Sequence, residues 1–174
     1  MNKFTTLTLT ALTACMTFAP NALAKSNYSH HIKLGHTIRS TGVVLKINPQ
    51  ECWEKEAYGW YWAYGNQMAI CQENKKLVDI EVNWTEEDLD TLRHEAQHLV
   101  QDCIDGERQG ELGAVYRDPI GLAKKVLGDR GVRSIADAYS NVSEHIIVME
   151  LEAFSVARLN DPIEQIKDIQ TYCF

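Results

Sequence analysis

Two periodicities divide this chain. Between Leu77 and Asn83, apolar Val78, Ile80 and Val82 alternate with Asp79 and Glu81, the two-residue period of a half-buried strand. From Thr85 onward apolar positions return every three to four residues. At the helical advance of about 100° per residue, Leu89, Leu92, Ala96, Leu99, Val100 and Cys103 fall in one arc. This predicts a helix from Thr85 to about Ile104, opened by a near capping box of Thr85 with Asp88 and stopped by Gly106. Upstream, Lys25 to Gln50 begins polar and without periodicity, then turns strand-like at Val43 to Ile47 before the Asn48-Pro49 breaker. Trp60 to Ala63 and Gln67 to Ile70, joined by Tyr64-Gly65-Asn66, read as a hairpin. Downstream, Gly106 to Pro119 reads as a loop, and Gly121 to Leu127 and Val132 to Tyr139 as short helices. Val142 to Leu159 is a long helix, and Asp161-Pro162 opens a last one toward Ile169. Strands followed by helices make an α+β fold: a small antiparallel sheet or hairpin, a central helix and a helical C-terminal part.

Composition adds compartment and excludes some partners. A chain of 174 residues that is 45% hydrophobic supports one core, and a net charge of −7 without a Lys/Arg run excludes nucleic acid as a partner. Lys3, the stretch Phe4 to Phe18, Pro20 and Ala22-Leu23-Ala24 read as a signal peptide over 1–24, leaving a single domain over 25–174. The protein is then periplasmic or secreted and bacterial. A competing lipobox, Leu12-Thr13-Ala14-Cys15, would instead give a lipid anchor at Cys15 and a membrane-anchored lipoprotein. No stretch reaches the ~20 apolar residues of a transmembrane segment. After the leader, Cys52, Cys71, Cys103 and Cys173 remain, and an even count in an exported chain points to two disulfides. Of three pairings, 52–71, flanking the aromatic segment, and 103–173, stapling the tail to the central helix, are favoured. The absence of a Cys-x-x-Cys pair argues against a cysteine zinc site.

His94-Glu95-Ala96-Gln97-His98 lies in the middle of the predicted helix. A spacing of four sets two imidazoles one turn apart on one face, where they can share a tetrahedral metal, and leaves Glu95 beside them as a base toward water. The competing reading is a solvated polar face shared with Glu87, Asp90, Thr91 and Gln101. A third ligand separates the two. The helix Val142 to Leu159 is apolar on nearly every side yet carries Glu150 and Glu152, which point widely apart. A carboxylate in apolar surroundings costs several kcal/mol unless it meets a cation, donors or a metal. Glu152 shares its face with His145, Met149 and Val156, and Glu150 lies toward Ile146, Phe154 and Ala157. Pairing of either acid with Arg133 or Arg158 is the alternative to ligation.

His94-Glu95-x-x-His98 followed by a helical Glu152-Ala153 resembles the gluzincin class of zinc metallopeptidases, whose third ligand is a Glu commonly followed by Ala on a second helix. His94 to Cys103 also resembles a stretch of small metallopeptidases of bacterial and phage origin. The resemblance covers two helices. It implies a zincin-like fold, Zn2+ held by His94, His98 and Glu152, Glu95 as general base and then acid, and a peptide or protein substrate. Glu150 stays open as the third ligand. No third His stands at the metzincin spacing. Tyr139 and His145 are candidate donors to the developing oxyanion. The strand Leu77 to Asn83 is the expected substrate-pairing edge. His30, His31 and His36 read as disordered or surface residues. The aromatic run Trp53, Tyr58, Trp60, Tyr61, Trp62 and Tyr64 reads as core and the inner face of a clipped hairpin, with a substrate groove as the alternative. The leading expectation is an exported zinc-dependent peptidase. Its rivals are a periplasmic zinc-binding or interaction protein with a closed structural site, in which His145 would be a fourth ligand, and a disulfide-stapled binding module without metal.

Overall fold

The computed structural model describes residues 28–104 and 110–174, together with the backbone of Leu9–Thr10. The leader expected over 1–24, Cys15 included, otherwise lies outside the described residues. Helices α1 (Tyr28–Ser40), α2 (Glu86–Cys103), α3 (Pro119–Ala138), α4 (Glu144–Leu159) and α5 (Pro162–Tyr172) surround a small mixed sheet, so the fold is α+β. Its strands are β1 (Leu9–Thr10), β2 (Val44–Ile47), β3 (Gly59–Trp62) and β4 (Gln67–Ile70), in the order β1-β3-β4-β2.

The β3–β4 hairpin forms as the turn residues predict, closing through a 3-10 turn at Ala63–Gly65 with Asn66 in the left-handed region at φ 52°. Contrary to the antiparallel expectation, β2 runs parallel to β4, from Val44 opposite Gln67 to Ile47 opposite Ile70. A parallel pair needs a long crossover. Here the chain from Asn48 through β3 and its turn supplies it.

Two further readings are corrected. The segment Leu77–Asn83 is not a strand, despite its alternation. Its backbone groups are taken by side chains instead: Asn48 Nδ2 donates to Ile80 O, Gln72 Nε2 donates to Val82 O, and Val82 N donates to Gln72 Oε1. With the ladder so replaced, and Asp79 in the left-handed region at φ 56°, Leu77, Val78 and Ile80 stand exposed. The second correction concerns the histidines at 30, 31 and 36, which belong to α1; of these His31 is buried and lies 2.7 Å from an Arg93 guanidinium nitrogen.

Helix α2 starts at the capping box: the Thr85 hydroxyl accepts from Asp88 N, and the Asp88 carboxylate accepts from Thr85 N at 2.9 Å. Its apolar arc joins the main core, where Leu92, Ala96, Leu99, Val100 and Cys103 meet Leu34, Ile38, Tyr61, Met68, Ile70 and Ile169. The two short helices expected after the loop form one run, α3, broken at Gly128 (φ 69°, ψ 169°), a conformation that glycine adopts without a Cβ penalty. A second cluster packs α3 on α4 around Ala123, Leu127, Ile135 and Leu151.

Both disulfides pair as favoured, Cys52–Cys71 and Cys103–Cys173. The first lies in a small cluster with Trp60 and Ala69; the second ties the end of α2 to the end of α5. Two disulfides fit an oxidising compartment. No helix among the described residues is long and apolar enough to cross a membrane.

Candidate metal centre

Helix α2 has no wet face along its second half. From His94 to Cys103 every residue is buried, because α4 covers the side that the core does not. The solvated reading of the His-Glu-x-x-His face therefore fails. The polar residues there meet the two buried acids of α4, both 0% exposed.

Glu150 is the acid that joins the histidines. Its Oε2 lies 3.2 Å from His94 Nε2 and its Oε1 3.4 Å from His98 Nε2, while the two Nε2 atoms are 3.1 Å apart. A tetrahedral zinc with bonds of about 2.0 Å separates its ligands by about 3.3 Å, and these contacts are of that order, the two histidines reaching different oxygens of the one carboxylate. Both Glu150 oxygens face a histidine, and a fully buried carboxylate needs a cation beside it, which a protonated His98 or a metal ion supplies. His94, His98 and Glu150 thus form a group that can hold a metal ion.

Glu152, which the resemblance pointed to, faces away from this group. Its Oε1 accepts from Gln97 Nε2, Gln101 Nε2 and Val115 N, and its Oε2 from Tyr116 N, all at 3.0 to 3.1 Å. Its acceptor capacity is spent on neutral donors. Two residues along α4 turn a side chain through about 200°, so one acid looks at α2's histidines and the other at its glutamines and the 110–116 backbone.

Gln101 connects the two acids. Its amide nitrogen donates to Glu152 Oε1 and to Met149 O, which leaves Oε1 facing His98 Nδ1 at 2.7 Å. An amide oxygen only accepts, so Nδ1 carries the proton and a neutral His98 keeps its Nε2 lone pair for the metal. The His94 ring is held by Phe154, whose centroid is 4.3 Å away, and by the edge of His98.

Electrostatics couple the group. Burial works against the charged form of His98, but the Glu150 carboxylate outweighs it and holds the imidazole pKa up, to about 9. Burial would likewise raise Glu150, yet His98 and His94 hold it well below the usual carboxylate range. Glu95, 1% exposed, is pushed up to about 7, with burial prevailing over the neighbouring histidines and a hydrogen bond from the Tyr61 backbone. Its Oε1 has no partner. The backbone of β3 approaches it closely because residue 59 is glycine: a Cβ there would lie 3.1 Å from Glu95 Cγ and 2.7 Å from Thr91 Cγ2.

A narrow cleft opens onto this group between Tyr58, Thr91 and Phe154, with Glu87 and Asp90 on its rim and His94 and Glu95 at its floor. Its volume of about 20 Å³ suits a single water molecule. Tyr139 and His145 do not line it. Tyr139 is buried in the α3–α4 cluster, and His145 Nε2 lies 2.7 Å from Leu112 O. Gln101 and Phe154 are the residues to which motif reading gave no role at the site, whereas Tyr58, which lines the cleft, belongs to the aromatic run whose alternative reading is a substrate groove. Gln101 sits one helical turn after His98, the spacing at which a supporting partner falls. The residues at the site are arranged around three side chains that can hold a metal ion and an adjacent carboxylate. Compared with protein-family models, curated proteins and solved structures, the chain matches none.

Proposed function

We propose that this protein is an exported zinc-dependent peptidase, with His94, His98 and Glu150 as metal ligands and Glu95 as general base and then acid. The observation that supports it most is the trio of 3.1, 3.2 and 3.4 Å separations among two imidazoles and a fully buried carboxylate. Zinc, when bound, supplies Lewis acidity toward the scissile carbonyl. Glu95 accepts a proton at Oε1 from the attacking water and returns it to the leaving amine, a two-way task for which a pKa of about 7 is well placed. Phe154 and Tyr58 wall the cleft against bulk water.

Burial of all three ligands and the narrowness of the cleft favour a second reading, a zinc-binding or interaction protein whose metal is structural. A closed structural site has four protein ligands, and among the described residues the group has three. His145, the earlier candidate for a fourth, lies at Leu112. The test is a Glu95→Gln variant assayed on a broad peptide mixture beside wild type. The peptidase reading expects zinc retained at wild-type stoichiometry and cleavage reduced by at least about a hundredfold; equal cleavage by both proteins sinks it.

A further inference from the structure

Helix α1 has a second face at helical spacing. Leu34 and Ile38 turn into the core, while Ile32, Gly35, His36 and Arg39 line a groove of about 290 Å³, at the lower end of small-molecule pockets. The opposite walls are Leu45 and Ile47 of β2 and Trp84, all apolar. The groove reaches α2 at Leu89 and Leu92, not at His94 or Glu95, so it is separate from the metal centre. Gly35 keeps it open. In a helix interior glycine is the least favourable residue short of proline, and here neither a positive φ nor a close neighbour requires it. A Cβ at that position would lie 3.5 Å from Arg39 NH1 and 3.7 Å from Leu45 Cδ2, ordinary contact distances between two residues of the groove wall. The polar groups are unequally engaged. Arg39 has one long contact, NH1 donating to Gly35 O at 3.4 Å, and among the described residues no carboxylate lies within ion-pair range of it. Glu81, the acid that lines the groove, accepts at Oε1 from Trp84 Nε1 at 2.6 Å, and His31 Nε2 accepts from Arg93.

We infer that this groove binds a small amphipathic carboxylate, its apolar body between Gly35, Leu45 and Trp84 and its head on Arg39, with His36 beside it. A guanidinium presents a planar fork of donors that matches the two oxygens of a carboxylate, next to apolar walls that exclude competing water. An alcohol of the same length keeps the apolar contacts and forgoes the ion pair. An ammonium meets Arg39 as a like charge, and the Glu81 oxygen nearest the indole is already taken. Neither zinc nor peptide cleavage enters this site.

The experiment follows the Trp84 indole N–H resonance of isotope-labelled protein, assigned by its loss in Trp84→Phe, during titration with octanoate, octanol and octylamine. We expect octanoate to shift it with a Kd below about 1 mM, about tenfold tighter than octanol, with octylamine weakest. Gly35→Leu fills the groove from the helix side. Octanoate affinity should then fall at least about tenfold, while stability in urea is kept or raised because the new Cβ has room and the helix gains a better former. Arg39→Gln, an exposed position, tests the head group separately: octanol binding should persist and octanoate should come within about twofold of it. No shift by about 10 mM octanoate, equal or tighter binding of the alcohol or the amine, or octanoate affinity unchanged in a folded Gly35→Leu or in Arg39→Gln overturns the inference. The readout involves no metal and no turnover, so it stands or falls apart from the peptidase reading.

Discussion

Gln101 turns its side-chain oxygen toward His98 Nδ1 at 2.7 Å, and that contact determines which nitrogen of His98 faces Glu150. Replacing Gln101 with Met keeps the volume but loses the acceptor, so the ring is free to adopt the other tautomer. We expect zinc affinity, measured by competition with a chromogenic chelator, to fall about 10- to 100-fold while the fold is kept. Unchanged affinity would show that the tautomer is set elsewhere.

The two acids of α4 predict opposite phenotypes. Glu150→Gln removes the anionic ligand, and elemental analysis should find the metal lost from a folded protein. Glu152→Gln keeps the ligands but places an amide among four donors, leaving donors facing donors. Its expected signature is retained zinc with a loss of about 1–3 kcal/mol in urea unfolding. The reverse pattern would make Glu152 the ligand.

Protons and metal compete at His98. Its pKa of about 9 without metal means that the imidazole is protonated at neutral pH and must lose that proton to bind. Zinc affinity should therefore rise about tenfold per pH unit from pH 6 and level off near 9. Calorimetry at pH 7 in buffers of different ionisation enthalpy should find about one proton released per zinc. An affinity flat across that range would exclude an imidazolium at the site.

The tail disulfide closes the longer loop, spanning 70 residues in sequence against 19 for the other. On the loop-entropy account, the Cys103→Ser/Cys173→Ser double variant should lose about 4 kcal/mol and Cys52→Ser/Cys71→Ser about 3. Urea unfolding of both pairs measures it. Equal stability with and without the tail bridge would mean that α5 is held by packing alone.

Periodicity carried much of this structure. The apolar arc of α2, its capping box, the hairpin and both cysteine pairings are all visible in residue spacing, because each depends on local geometry or on parity. The choice between Glu150 and Glu152 was not visible. A helix buried on every side has no wet face to orient the wheel, so only its packing against α2 decides. Leu77 to Asn83 misled for a different reason: alternation reports side-chain chemistry, and two distant amides, Asn48 and Gln72, had already claimed the backbone. Helix α1 did leave a signal, since His31, Leu34, Gly35 and Ile38 stand at helical spacing, but a histidine and a glycine on the buried face disguised it.

The burial of the second half of α2 also sets a clock. Its histidines are at most 3% exposed, and the opening above them admits about one water molecule, so a peptide or a chelator reaches an ion there only after the cleft widens. An ion seated there leaves when α2 and α4 part, so its residence time follows the opening rate of the fold rather than the equilibrium strength of three bonds. Loading belongs to the same window: the ion enters most readily while the chain is still closing around it.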